Sequence, residues 1–294
     1  MNNKILIFDA IGGLSDQKKN IISAIQFCNK HNFKFTFNQS TCRPKENPTI
    51  YRKYDIDNLF DINVFSIYDN FINYNEIKNK INDNNTYDFF TDKINGKLYN
   101  SDYKNYLNDI KNNICNIISN CEKEYIIIGG GCWSYIDYKY NEYMIHDFIQ
   151  PSKKIMDKYN EINEKINCSE YNFIHYRYEK DWENFLLKQN KPFICPLLDT
   201  LIKNIPFKKK MPIYICTSCI ETLYDKKLML KPLSEYSNIL YKNEKDFADF
   251  NYDECGYVDY LIGKNAEEIY GFSHSGFSKN LNNLKKTNNY YDTV

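Results

Sequence analysis

The chain has 294 residues, is 43% hydrophobic, and balances 38 Lys+Arg against 38 Asp+Glu for a formal net charge of zero. That length predicts two domains with ample apolar content for a core in each, and the charge balance gives no footprint of an obligatory nucleic-acid or anionic-membrane partner. No run of 18 apolar residues is present and Lys4–Phe8 is too short for a signal segment, so no membrane span is expected and the chain reads as cytoplasmic. Its 10 cysteines follow no framework spacing and read as reduced, mostly buried thiols.

In chain order, Lys4–Phe8 reads as a buried parallel strand, Ile11–Leu14 as a tight glycine turn, and about Ser15 to Lys30 as a helix with apolar residues at helical spacing, capped by Ser15 or Asp16. Phe33–Phe37 follows as a second strand, giving a βαβ opening. From about Thr41 to Asn113 the chain is irregular and rich in Asn, Asp and Tyr. Helical spacing returns near Tyr106–Ser119, and Tyr125–Ile128 is a strand running into Gly129–Gly131. A helix is expected over Ser152–Ile166 behind Pro151. The second half then reads as strand Phe173–Tyr176, a helix after Asp181, strand Pro212–Cys216, a short strand near Ile239, a helix through Asp259–Ile262, strand Glu268–Gly271 and a last helix from Ser278. This alternation predicts an α/β protein of two doubly wound, Rossmann-like domains facing a cleft, residues 1–150 and 151–294, with the boundary between Asp147 and Tyr171.

Four strand-end segments have the composition of a binding site. Gly12 and Gly13 lie between a strand and a helix, where backbone amides and the helix N-terminus face an anion or a sugar; the plainer reading is a turn that uses glycine for its backbone. In Phe173–Trp182 the strand presents His175 and Arg177 on one face at its carboxyl end, and an arginine there offers a planar fork to phosphate; the plainer reading is an Arg177–Asp181 pair. Gly271–Ser278 is a second strand-to-helix turn with small hydroxyl residues suited to a diphosphate, or simply an N-cap at Ser275 or Ser278. Cys216-Thr-Ser-Cys219 is an isolated CxxC with no second pair, which leaves Thr217 and Ser218 as the better site candidates. Asp55-Ile-Asp57 has the DxD pattern by which some glycosyltransferases hold a divalent ion, but it follows no apolar strand and reads as a solvated turn. The basic run Lys208–Lys210 reads as solvated loop.

Taken in order, these turns resemble the GDP-fucose protein O-fucosyltransferase family. Gly12-Gly-Leu-Ser-Asp-Gln17 resembles its Gly-rich turn, His175-Tyr-Arg-Tyr-Glu-Lys-Asp-Trp182 its HLR segment, and Ile213-Tyr-Ile-Cys-Thr217 its later strand ending in Ala-Thr. Asp259-Tyr-Leu-Ile262 and Ser275-Gly-Phe-Ser278 are similar to its final acid and Ser-Ser-Phe-Thr turn; the likeness runs from residue 4 to about 282 and omits about 41–120. The resemblance implies a GT-B fold with the donor held mainly by the second half. It also implies inverting, metal-independent transfer of L-fucose from GDP-fucose to a glycan or protein hydroxyl. On that analogy Arg177 binds the diphosphate and stabilises leaving GDP, with His175 and Asp181 in support; Asp259 reaches the guanine, and Ser275, Gly276, Phe277 and Ser278 wrap the phosphates. The family's Asn before Gln is Asp16 here, a carboxylate placed to accept the acceptor's proton or to orient its hydroxyl. No cofactor, metal or nucleic acid is expected. Two alternatives remain: another GDP-deoxyhexose donor on the same scaffold, or a non-catalytic nucleotide-sugar or glycan binder.

Overall fold

The structure is a computed structural model that describes residues 4–44, 50–88, 114–128, 147–177, 187, 190, 198–207, 211–217, 239–242 and 244–291. The chain divides into two compact units, Met1–Thr41 with Lys53–Ser152, and Cys42–Arg52 with Lys153–Val294.

The first unit is built on a five-stranded sheet. The apolar opening run forms β1 (Ile5–Ala10), which is buried along its whole length as a central parallel strand must be. It leads through the glycine turn into α1 (Leu14–His31) and back to β2 (Lys34–Cys42), with β1 and β2 parallel. Then come β3 (Arg52–Asp55), β4 (Thr86–Asp88) and β5 (Tyr125–Ile128), in the spatial order β3-β2-β1-β5-β4. The pairs β1–β5 and β4–β5 are also parallel. One face carries Ile5, Ile7 and Tyr125 against Ile77, with Ile72 and Tyr74 alongside. Residues 114–120 are helical, overlapping the end of the segment expected over Tyr106–Ser119, and the rest of that segment lies outside the described residues.

The second unit repeats the plan. Its sheet holds β6 (Asn172–His175), β7 (Ile213–Cys216), β8 (Ile239–Tyr241), β9 (Ile269–Phe272) and β10 (Tyr290–Tyr291), all parallel, in the order β10-β9-β6-β7-β8. Its helices include α2 (Lys153–Ile166), α3 (Leu198–Asn204), α4 (Tyr252–Asn265) and α5 (Gly276–Lys285). A capping box starts α4: Asn251 accepts from the Glu254 amide at 2.9 Å and Glu254 accepts from the Asn251 amide at 2.7 Å. Lys154 on α2 pairs with the same Glu254 at 2.9 Å. The segment that follows β2 is tied to α4 through Arg43, which meets the Asp253 carboxylate at 2.7 Å and stacks over the Tyr252 ring at 4.2 Å.

Both sheets are doubly wound, as expected from the alternation of strands and helices. In each, the first strand of the unit lies between neighbours reached in opposite directions, which sets a switch point at β1/β5 and another at β6/β9. Three strands escape the sequence reading. β3 is largely exposed along Arg52–Asp55, β4 is three residues long and β10 only two, so none has an apolar period to find. Among the described residues no helix is long and apolar enough to cross a membrane, and seven cysteines are free thiols, four of them buried.

Candidate functional site

In the first unit the carboxyl end of β1 turns through Gly12, whose φ of +105° lies where side chains are rarely tolerated. A Cβ at Gly12 would lie 3.0 Å from Cβ of Asp16. Gly13 is the N-cap of α1 and offers no side-chain cap, so Ser15 and Asp16, expected as caps, are instead first-turn residues. The turn is held from within. The Gly12 amide donates to Thr41 Oγ1 at 2.9 Å, and the buried Gln17 amide donates to the carbonyls of Gly12 at 2.8 Å and Thr41 at 2.6 Å. The glutamine of the Gly-rich motif is therefore a fastener between α1 and β2. Asp16 points outward, with its side chain 64% exposed and Lys19 Nζ at 3.7 Å. One strand residue nearby had no signature in sequence: Asp9, buried near the end of β1, pairs with Lys53 Nζ at 3.0 Å, and burial pushes its carboxyl up despite the lysine.

The second unit brings more of the expected residues together. β6 lies between β9 and β7, so the carboxyl ends of these three strands place Phe272–Ser278, His175–Arg177 and Thr217 side by side at the switch point. His175 is buried, with Nδ1 2.7 Å from Ser278 Oγ and its ring 4.6 Å from that of Phe277. Ser278 Oγ also accepts from the Phe272 amide at 2.9 Å. This fit needs Gly271, because a Cβ there would meet Ser278 Oγ at 2.7 Å and Cβ at 2.5 Å. Ser275 is the N-cap of α5 and accepts from the Ser278 amide at 3.5 Å. Of the four residues expected to wrap phosphates, Ser275 and Ser278 are thus committed to the turn, while Gly276 is exposed and Phe277 half-buried at the helix start.

Arg177, half-buried, leaves β6 two residues past its end, and its amide donates to Tyr291 Oη at 2.8 Å. Tyr291 in turn donates to the His175 carbonyl at 2.7 Å. Thr217 is 5% exposed and its Oγ1 has no hydrogen-bond partner among the described residues. A hydroxyl in that condition at a strand's carboxyl end costs free energy unless something arrives to bond it. Asp181 and Ser218, like Cys219 of the CxxC and the Lys208–Lys210 run, lie outside the described residues.

Asp259, expected to reach the guanine, has protein partners of its own. It is buried on α4, with Oδ1 accepting from Tyr214 Oη at 3.0 Å and Oδ2 paired with the buried Lys242. Burial pushes the Tyr214 phenol well up, so it stays a donor to that carboxylate. Asp259 is thus engaged on both oxygens within the second unit. The DxD residues Asp55 and Asp57 are both exposed, at the end of β3 and in the short 3₁₀ turn after it, as the reading of a solvated turn expects. Lys242, Tyr291 and Thr41 were missed because each is ordinary in its own neighbourhood; only chain separations of 17 to 116 residues, closed by folding, give them their partners.

No family model matches the chain, and no curated protein matches it. Solved structures do. A crystal structure of POFUT1 in complex with GDP is 11% identical, with a TM-score of 0.62, covering 100% of this chain and 99% of its own. POFUT1 in complex with GDP-fucose gives a TM-score of 0.60 at 11% identity. Fucosyltransferase NodZ from Bradyrhizobium is 12% identical with a TM-score of 0.57, over 96% of this chain and 92% of its own. At such identity the likeness is one of fold, and it falls on the same kind of protein as the resemblance of the four turns.

Proposed function

We propose that the protein is an inverting, metal-independent glycosyltransferase that moves L-fucose from GDP-fucose to a hydroxyl acceptor. The observation that carries the reading is the carboxyl-end cluster of the second unit: His175, Arg177, the Thr217 hydroxyl, which has no partner among the described residues, and the start of α5 converge at one switch point. That is where open parallel sheets take nucleotides, and the start of α5 is where a helix favours an anion. GDP and GDP-fucose complexes of the POFUT1 structures support the same donor.

In this mechanism the acceptor oxygen bonds to the anomeric carbon from the face opposite the diphosphate. The bond from that carbon to the phosphate oxygen breaks, and its electron pair leaves with GDP. Arg177 neutralises the charge that develops on the diphosphate, aided by the N-terminus of α5. Asp16 takes the acceptor's proton as the bond forms. The first unit serves the acceptor and the second the donor.

A melting panel followed by a donor-hydrolysis assay tests the donor. GDP and GDP-fucose are expected to raise the melting temperature more than UDP or UDP-glucose, since a ligand bound at about 100 times its Kd adds about 2.7 kcal/mol to the folded state. A clear preference for a uridine nucleotide would overturn the donor assignment.

A further inference from the structure

We infer that Tyr291, on the last strand, is a positioning residue for Arg177; the inference rests on the proposed role of Arg177 at a diphosphate. β10 is separated from β6 by β9, yet the Tyr291 hydroxyl crosses the end of β9 and reaches the main chain leaving β6. The ring is held on the near side by strand pairing with Phe272, by the Phe272 ring at 5.8 Å and by the Ser273 amide donating to the Tyr291 carbonyl at 3.2 Å. On the far side the single phenolic hydrogen goes to the His175 carbonyl and a lone pair takes the Arg177 amide. The two main-chain groups flank Tyr176, whose own amide donates to the Cys216 carbonyl at 2.7 Å. The short run from His175 to Arg177 is therefore pinned from both sides, by β7 at Tyr176 and by Tyr291 of β10 at the residues on either side of it. Pinning the backbone fixes where the guanidinium starts from, and a displacement of about 1 Å at a reacting centre costs on the order of 100-fold in rate. Without the hydroxyl, these two main-chain hydrogen bonds are lost at once. Nothing else near residue 291 marks it: it is one of 27 tyrosines and lies 116 residues from the carbonyl it holds.

The test is a double-mutant cycle of Tyr291→Phe and Arg177→Ala on the full chain, with circular dichroism to confirm folding. Phenylalanine keeps the ring and its packing and removes only the hydroxyl. Two signals are read: the rate of GDP release from GDP-fucose, and the Kd for inorganic pyrophosphate. Tyr291→Phe alone is expected to lower GDP release by about 10- to 100-fold with KM changed less than about twofold, and to do nothing further once Arg177 is alanine. Amide hydrogen exchange at Arg177 is expected to speed up in the phenylalanine variant. If the wild type releases no GDP but pyrophosphate affinity shows the same dependence of one substitution on the other, the donor reading fails and the positioning role stands. Independent, additive effects on whichever signal the wild type gives would overturn the positioning role. A wild type that gives neither signal would overturn both.

Discussion

At the scale of single residues, Arg177 and Asp16 carry opposite halves of the proposed chemistry and call for opposite kinds of substitution. Lysine at 177 keeps the charge and loses the planar fork, so Arg177→Lys is expected to lower kcat by about 10²–10³ while the fold holds. Near-native turnover would make Arg177 structural. Asp16 is not the cap of α1, since Gly13 holds that position, and its side chain is exposed beside Lys19. Little of the fold rests on it, and Asp16→Asn also restores the amide of the family it resembles. If Asp16 is the base, the asparagine variant keeps its melting temperature and its GDP binding while transfer falls by roughly 10²–10⁴. Full transfer activity in that variant would remove Asp16 from the mechanism.

At the scale of elements, the second strand-to-helix turn is a packing problem as much as a binding one. α5 approaches β9 so closely that Ser278 occupies the space in which a Cβ of Gly271 would stand. Gly271→Ala is expected to cost about 1–3 kcal/mol in chemical denaturation, the usual penalty of overpacking, and to loosen the Ser278–His175 contact. Unchanged stability would mean that the turn is softer than its geometry. Elements of this kind were legible in the sequence where burial and chain-local chemistry agree. The apolar run of β1, the period of α1, and the hydroxyl residue capping α5 all act on near neighbours in the chain. What escaped was decided by folding. β3 is an exposed edge with nothing apolar to alternate, β10 is too short to have a period, Tyr291 takes its role from the end of a distant strand, and Lys242 takes its role from Asp259 on α4. Asp259 is legible as an acid, while its partners Tyr214 and Lys242 are supplied only by folding.

At the scale of the whole molecule, the proposed transfer needs positive charge to offset a departing diphosphate. The chain as a whole is neutral, so no general field supplies it. A divalent ion on a DxD is one solution, and the chain's one DxD, Asp55 and Asp57, is exposed in the first unit, at the end of an edge strand and in a 3₁₀ turn. Among the described residues it has neither the buried strand end nor the convergent partners that hold an ion on phosphate oxygens. The second unit offers another solution in Arg177, held at the main chain by Tyr291, and in the first turn of α5, capped by Ser275. A guanidinium and a helix N-terminus are fixed charges that need no exchangeable ion. Turnover of GDP-fucose is therefore expected to be the same, within about twofold, before and after exhaustive EDTA treatment, and to gain nothing from added Mn²⁺ or Mg²⁺. The Asp55→Asn, Asp57→Asn double variant is expected to match the wild type in kcat and KM. Loss of activity in EDTA with recovery on Mn²⁺, together with loss in the double variant, would move the charge from Arg177 to a bound ion.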